Sequence, residues 1–255
     1  MVTTALIITT YNRPDALELV LRSVAQQTVK ADQVIIADDG STDETAALIQ
    51  RWQAQLPVQH AWQPDEGFRA ARARNLAIEQ ATADQLLFID GDCVLPPSFV
   101  HAHGALSRPK AIVAGGRVLL SEAETAHVFE QPDGALPSFS HWKLRTWPLG
   151  VLRDLQPAQW QTVRTCNVGV SRADAIAVGG FDESYLGWGL EDSDFVVRLL
   201  HSGCRIRQAR LAASVVHLYH PEQPRDAVSR NEARFQHVLM DPSVILPTQS
   251  RLVSP

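Results

Sequence analysis

The chain has 255 residues, of which 45% are hydrophobic and 20% charged, and its formal net charge is −5 at pH 7. This composition is typical of a globular protein with a full core, and the acidic balance argues against a nucleic-acid partner, which requires a basic surface. The three scattered cysteines form no CxxC pair, and no apolar run approaches a membrane span. The N-terminus lacks the pattern of a signal peptide. We therefore expect a cytoplasmic protein, with any membrane contact peripheral and at the inner face.

Strand and helix patterns alternate through the first ninety residues. Short apolar runs predict four buried strands, in "TALIITT", "QVIIADDG", "VQHAWQ" and "QLLFIDGD". Helical spacing predicts a helix from Pro14 to about Gln27, a capping box at Ser41 predicts a second to about Trp52, and a third spans 68–81. This alternation predicts a doubly wound, mainly parallel α/β sheet, whose ligands lie at the C-terminal ends of the strands.

The pattern is less regular in the second half of the chain. "AIVAGGRVLL" and "VRTCNVGVS" predict strands, and residues 121–162 predict a long irregular segment with several prolines and tryptophans. Helices are predicted in "RADAIAVGGF", "DSDFVVRLLHSG" and "EQPRDAVSRNEARFQHVLM". Because no linker divides the chain, we expect one domain over 1–255, with a nucleotide-binding half at 1–118 and a smaller acceptor-binding half at 119–255.

Paired carboxylates follow the fourth predicted strand. In "FIDGDC", Asp90 and Asp92 lie two residues apart, so both side chains can leave the strand on the same side. Two converging carboxylates favour Mg²⁺ or Mn²⁺, although an isolated D-G-D is also compatible with a plain turn. The late segment "VVHLYHP" adds His217 and His220, and imidazole is a suitable ligand for Mn²⁺ beside carboxylates.

A second unusual stretch is "GWGLEDSDF", in which Trp188 lies between two glycines and precedes Glu191 and Asp192. Glycines cost backbone entropy and neighbouring carboxylates repel each other. Acidic residues at a helix start can simply interact with the helix dipole. That alternative explains the acids but leaves the tryptophan unexplained, so the stretch indicates a functional site.

These motifs together resemble those of family 2 glycosyltransferases with the GT-A fold. The resemblance lies in "LIITTYNRPDALELVLRSVAQQT", "VIIADDGSTDET", "GFRAARARNLAI" and "FIDGDC". The stretch "GGFDESYLGWGLEDSDFVVRLLHSG" is similar to the C-terminal motif of β-1,4-galactosyltransferases and polypeptide N-acetylgalactosaminyltransferases, which is also found in bacterial chondroitin polymerase. The resemblance covers about residues 4–235.

The resemblance implies a binding site for a UDP-sugar. Its residues would be Thr9, Tyr11, Arg13, Asp38, Asp39, Arg74 and Asp90. Within this set, Asp39 would bind the uracil and Asp90 would approach the ribose and the metal. Of the three arginines in "RAARARN", Arg74 is favoured for the nucleotide over Arg69 and Arg72, which also fit an ordinary basic helix face.

The resemblance also implies a metal centre and an acceptor site. Asp92 would bind Mn²⁺ or Mg²⁺ with His217 and His220, where galactosyltransferases have a methionine and, three positions later, a histidine. Trp188 would form the platform for the acceptor sugar, Glu191 would bind acceptor hydroxyls and Asp192 would be the catalytic base. The residue types agree with these roles, because an indole stacks on a sugar ring and a hydroxyl nucleophile needs a base.

The sequence therefore predicts an inverting, metal-dependent glycosyltransferase that uses a UDP-sugar. Galactose, N-acetylgalactosamine or N-acetylglucosamine is the favoured donor sugar, and the expected acceptor is a glycan or lipid-linked oligosaccharide of surface polysaccharide synthesis. The alternative is a non-catalytic carbohydrate-binding or scaffold protein descended from a transferase. A nicotinamide-dependent dehydrogenase is excluded because "TTYNRPD" replaces the glycine-rich turn after the first strand.

Overall fold

The computed structural model describes residues 2–131, 159–210, 212–221 and 228–253. Strands and helices alternate in its first part, as the apolar patterns predict. The elements there are β1 (Thr4–Thr10), α1 (Pro14–Ala25), β2 (Gln33–Asp38), α2 (Asp43–Trp52), β3 (Val58–Trp62), α3 (Ala70–Gln80) and β4 (Gln85–Asp90).

Shorter elements follow β4, together with one 3₁₀ turn at Trp160–Thr162. They are β5 (Cys93–Val94), α4 (Phe99–Leu106), β6 (Ala111–Ala114), β7 (Gly116–Leu119), α5 (Glu122–Glu130), β8 (Asn167–Ser171), α6 (Arg172–Ala177), α7 (Glu191–His201), β9 (Arg205–Gln208), β10 (Ser214–His217) and α8 (Val228–Met240). No helix of the described residues is long and apolar enough to cross a bilayer.

A seven-stranded sheet in the order β3-β2-β1-β4-β8-β6-β9 forms the centre of the fold. Strands β1 to β4 pair in parallel, whereas β8 runs antiparallel to both β4 and β6. A smaller sheet has the order β5-β10-β7. The mainly parallel, doubly wound α/β architecture is confirmed, and β8 brings the second half of the chain against the last parallel strand of the first.

The central strands are buried on both faces, which explains their continuous apolar runs. Ile7 on β1 and Phe88 on β4 belong to one core layer, whereas Leu6 and Ile8 point into the other and pack with Leu17 of α1. All of these side chains have an exposed fraction of 0%. The rigid double-layered core holds the strand ends in fixed positions.

The predicted capping box at Ser41 is wrong. α2 begins at Asp43, and Ser41 Oγ instead accepts a hydrogen bond from the backbone N–H of Asn12 at 2.9 Å. The backbone N–H of Ser41 donates to Asp38 Oδ1 at 2.8 Å. Ser41 thus ties together the loops that follow β1 and β2, a tertiary role that competes with helix capping.

The single strand predicted in "AIVAGGRVLL" is divided in the structure. β6 belongs to the central sheet and β7 to the small sheet, with the break at Gly115. A Cβ atom at Gly115 would lie 2.1 Å from Asn167 Oδ1. Glycine therefore permits the close approach to β8 that lets the chain leave one sheet for the other.

Part of the segment predicted to be irregular is helical. α5 occupies residues 122–130, and a capping box between Ser121 and Glu124 begins it. This S-x-x-E pattern is the local signal that predicts the helix. Residues 132–158, including Trp142 and Trp147, lie outside the described residues.

Candidate active site

The candidate site residues gather where β1, β2 and β4 end. In the register of the sheet, Thr10 lies beside Asp38 and Thr9 beside Asp90. Asp39 and the D-G-D carboxylates therefore leave the sheet at the same edge, because parallel strands share the direction of their C-terminal ends.

Asp39, the predicted uracil ligand, is held in place by two donors. Its Oδ2 accepts a hydrogen bond from the backbone N–H of Arg69 at 2.7 Å, and its Oδ1 accepts one from the Gln63 side chain. Burial raises the pKa of this carboxyl, and the two hydrogen bonds oppose that effect. Nearby, the exposed Tyr11 donates its hydroxyl to Asp65 Oδ2 at 2.9 Å, a partner that the sequence analysis missed.

Asp38 differs from its neighbour because it is fully buried and both of its oxygens have partners. Oδ1 accepts from Ser41 N–H and Oδ2 lies 2.8 Å from His60 Nε2. A nucleotide could reach this carboxylate only by displacing these partners. The geometry therefore supports a structural role, in which Asp38 positions the loop that carries Asp39.

Arg74 connects the strand ends to α7. Its guanidinium donates to Thr9 Oγ1 at 3.1 Å and to Glu191 Oε1 at 3.0 Å, and it lies 3.5 Å from Asp90 Oδ1. It also lies over the ring of Phe181, 5.3 Å from the ring centroid. Burial lowers the pKa of Arg74, but Glu191 and Asp90 more than offset this and raise it. Arg74 is therefore a charged link between the two halves of the site.

Two imidazoles face Asp92 across the small sheet. His217 Nε2 lies 3.6 Å from Oδ1 and His220 Nε2 lies 3.5 Å from Oδ2 of Asp92. Arg13 Nη1 approaches the same carboxylate at 3.8 Å. The pairing of β5 with β10 brings these distant residues together, with His217 opposite Cys93 in the register.

The arrangement around Asp92 fits a divalent cation. The carbonyl of Pro221 can only accept, so His220 Nδ1, which lies 2.8 Å from it, carries the proton in the neutral imidazole. The unprotonated Nε2 then faces the carboxylate at a distance too long for a hydrogen bond. Two ligands about 2.1 Å from one ion lie about 3–3.5 Å apart, which is close to the observed separations.

Cys93 is a neighbour of this centre that the sequence analysis missed. Its Sγ belongs with Asp92 and His217 to a group whose ligand atoms lie within 4.8 Å of one another. Burial raises the pKa of the Cys93 thiol well above its ordinary value. The thiol lies 3.8 Å from Asp92 Oδ1 and donates weakly to it.

The turn that carries Trp188 has an unusual backbone. Gly187 and Gly189 have φ angles of 75° and 111°, and Leu190 has a φ of 74°, which is costly for a residue with a Cβ atom. Asn231 of α8 donates to the carbonyl of Gly189 at 3.0 Å and fixes the turn. Trp188 remains 41% exposed. Trp188 is thus carried on a fixed turn directly before the acids of α7.

The three acids of "EDSD" occupy different environments at the start of α7. Glu191 is buried against Arg74, and burial raises its pKa. Asp194 is fully buried, and its Oδ1 lies 2.6 Å from Arg198 Nε, so this ion pair is part of the core. Asp192 is only partly buried, and its Oδ1 accepts from the Ser193 N–H at 2.7 Å.

Comparison with known families gives two matches along the chain. Residues 5–150, more than half of the chain, match the model described as glycosyl transferase family 2. Residues 156–221 match the model described as the N-terminal domain of galactosyltransferase. The second match includes the strained turn, the acids of α7 and both histidines.

Relatives and solved structures agree with these matches. Validoxylamine A glucosyltransferase of Streptomyces hygroscopicus is 31% identical over 225 residues, which cover 81% of this chain and 53% of that protein. Chondroitin synthase of Escherichia coli is 24% identical, over 86% of this chain and 35% of the synthase. The chain thus spans about half or less of the length of these relatives.

The fold is also similar to that of GalNAc-T7, whose crystal structure contains UDP, GalNAc and Mn²⁺. The TM-score is 0.66 at 15% identity, over 93% of this chain and 48% of GalNAc-T7. At this identity the similarity shows the fold alone, and it confirms the GT-A fold.

Proposed function

Because the chain belongs to glycosyl transferase family 2, we propose that it transfers a sugar from a UDP-sugar to a hydroxyl group of a glycan or lipid-linked acceptor, with inversion. The observation that carries the proposal is the position of Arg74, which contacts Asp90 at the strand ends and Glu191 on α7. Asp90 on the donor side and Glu191 on the acceptor side therefore lie against one buried guanidinium group, that of Arg74. Galactose, N-acetylgalactosamine or N-acetylglucosamine is the proposed donor sugar.

The strand ends would bind the nucleotide. Asp39 accepts a hydrogen bond from the uracil, and the exposed ring of Tyr11 lies beside it on the loop after β1. Thr9 and Arg13 extend this surface toward Asp92, which Arg13 approaches at 3.8 Å. This edge of the sheet thus offers a carboxylate for the uracil and a guanidinium group for the phosphates, as a nucleoside diphosphate requires.

Asp92, His217 and His220 would hold the divalent cation, for which Mn²⁺ is proposed because carboxylate and imidazole suit it. When bound, the cation supplies positive charge that stabilises the leaving diphosphate. Arg13 adds a permanent positive charge at the same carboxylate. The chain's own contribution is to hold His217 at the end of β10 and Asp92 directly before β5, where the pairing of the two strands limits their movement.

Asp192 would act as the catalytic base. Glu191 is engaged with Arg74, whereas Asp192 Oδ2 accepts no hydrogen bond within the described part of the chain. The acceptor oxygen forms its bond to the anomeric carbon while the bond from that carbon to the diphosphate oxygen breaks, and Asp192 takes the hydroxyl proton. Direct displacement by one oxygen inverts the anomeric configuration. Trp188 stacks on the acceptor ring and Glu191 binds its hydroxyls.

A screen for UDP release tests this proposal. Purified protein is incubated with each UDP-sugar and Mn²⁺, with and without glycan acceptors, and we expect release with one donor class. Asp192→Asn keeps the shape of the side chain but cannot take the proton, so it should lower transfer by about 10²–10⁴-fold while UDP binding stays unchanged.

Asp43→Asn is the matched control, because Asp43 also lies in the first turn of a helix but is exposed on α2. It should leave the transfer rate unchanged. A fully active Asp192→Asn protein would remove Asp192 from the mechanism. Binding of UDP and glycan without release from any donor would instead support a non-catalytic carbohydrate-binding protein.

A further inference from the structure

A basic cavity of about 700 Å³ lies beside the candidate active site. The first turn of α3, the turn before Trp188, helix α8 and the C-terminal segment enclose it. Four guanidinium groups line it, and one carboxylate, that of Glu183, is the only acidic group among the described lining residues. The arginines are Arg69, Arg72, Arg234 and Arg251.

The charges of this cavity are only partly balanced by the protein. Arg69 pairs with Glu66, and Arg251 pairs with Glu183 at 3.5 Å and with Glu79 at 3.6 Å. Within the described part of the chain, Arg72 and Arg234 form no ion pair, although both are half-buried. Like charges that share a concave, partly desolvated site repel each other, so the cavity favours an anionic ligand.

Two of the lining arginines have hydrogen-bonding capacity that the protein does not use. The Nε atoms of Arg69 and Arg234 are buried without a hydrogen-bond partner in the described structure, although Arg234 Nη1 donates to Ser184 Oγ at 3.0 Å. Leaving a buried N–H group unpaired costs free energy. An anionic ligand offers guanidinium groups stronger, charge-assisted hydrogen bonds than a neutral sugar does.

The position of the cavity relates it to the acceptor. Leu186, which lines it, lies two residues before Trp188, and the backbone N–H of Gly187 donates to the carbonyl of Phe68 at the start of α3. None of the predicted metal ligands lines the cavity. The cavity is therefore not the proposed metal centre, although Arg69, which lines it, donates its backbone N–H to Asp39 at 2.7 Å.

From these observations we propose that the basic cavity binds a phosphate or diphosphate ester on the acceptor, away from the hydroxyl that reacts. The guanidinium fork matches phosphate oxygens in a bidentate manner, and the cavity is large enough for a diphosphate with part of an attached sugar. This inference rests on the proposed transferase function. It narrows the acceptor to a glycan that carries a phosphoryl group, as a lipid-linked oligosaccharide does.

Titration with inorganic pyrophosphate in excess EDTA tests the cavity itself, since the chelator prevents binding through a metal. Calorimetry on the whole protein should show binding, and Arg72→Gln and Arg234→Gln should each raise the dissociation constant by about 10–100-fold. The exposed Arg51 on α2 provides the control, and Arg51→Gln should bind like the wild type. Equal affinity in all variants would overturn the proposal. Because the two arginines are replaced in separate variants, misfolding of one variant does not decide the result.

Transfer to paired acceptors identifies the source of the phosphoryl group. Arg72→Gln should raise KM about tenfold or more for a sugar with a phosphate or diphosphate aglycone, and should leave KM unchanged for the same sugar with a methyl aglycone. An unchanged KM for both, with weakened pyrophosphate binding, would mean that the cavity binds free phosphate and not the acceptor. If the transferase proposal alone is wrong, the arginine variants still bind pyrophosphate more weakly, but no variant releases UDP from a UDP-sugar.

Discussion

Arg74→Gln should destabilise the fold by about 3–5 kcal/mol, because it leaves the buried carboxylate of Glu191 without its cation. The magnitude follows from burial. The side chains of Arg74 and Glu191 are only 6% and 11% exposed at a separation of 3.0 Å. Asp90 lies 3.5 Å from the same guanidinium, but its side chain is 33% exposed, so water screens it and it contributes less. Water screens the remaining Glu191 carboxylate only weakly, and glutamine supplies a dipole in place of a charge.

The matched control is an ion pair of similar length in a more exposed position. Arg22 and Glu18 on α1 are 2.8 Å apart, but their side chains are 35% and 28% exposed. Arg22→Gln should cost only about 0.2–1 kcal/mol. The two pairs have similar separations, so the difference between the two losses of unfolding free energy reports the effect of burial.

Urea unfolding at pH 7.5, followed by tryptophan fluorescence, gives both free energies of unfolding. The double variant Arg74→Gln/Glu191→Gln should lose less than the sum of its single variants, because each single change leaves an unpaired partner. The loss of unfolding free energy in Arg74→Gln should also become smaller as the pH is lowered. Burial raises the pKa of Glu191 and of Asp90, so these carboxylates are protonated and lose their charge early in the acid range. If Arg74→Gln lowers the free energy of unfolding by less than about 1 kcal/mol, the electrostatic reasoning is refuted.

Three other measurements test the remaining site residues. His217→Ala should weaken Mn²⁺ affinity by at least about tenfold, as measured by the Mn²⁺-dependent rise in Tm with UDP, and unchanged affinity would place the ligand elsewhere. Asp39→Asn should raise the dissociation constant for UDP by about 10–100-fold in calorimetry, whereas normal affinity would exclude Asp39 from the uracil site. Burial lowers the pKa of His103 to about 4 in the folded protein. As the pH falls from 7 to 4, the unfolded chain protonates His103 before the folded protein does, so the free energy of unfolding should fall by about 3 kcal/mol. His103→Gln should remove that part of the pH dependence, and the exposed His101→Gln on the same helix should not.

The strands and the edge that carries the site were predictable from local patterns. A strand buried on both faces must be apolar throughout, so "TALIITT" and "QLLFID" predict β1 and β4 directly. The carboxyl ends of the parallel strands β2 and β4 share one edge, which places Asp39 and Asp92 on the same side. The capping box at Ser41 failed because the hydroxyl has a better tertiary partner in Asn12.

The proposed metal centre depends on contacts between residues distant in the chain. The pairing of β5 with β10 brings His217 opposite Cys93, and no local periodicity predicts that pairing. The resemblance to known transferases supplied the candidate ligands, but the hydrogen bond between His220 and Pro221, which orients the imidazole, is visible only in the structure.

The amino-acid sequence by itself determined the parallel sheet, the acidic strand ends and the tryptophan between glycines, because each is encoded in neighbouring residues. The tertiary structure alone decided which charged side chains face the site. Arg72 and Arg74 are two residues apart on α3, so about 200° of helical rotation separates them, and packing turns Arg74 toward Glu191 while Arg72 lines the basic cavity. Likewise Asp194 is paired with Arg198 in the core, whereas Asp192 keeps a partly exposed carboxylate at the site. Residue type is the same within each pair, and only burial against distant elements gives the members different roles.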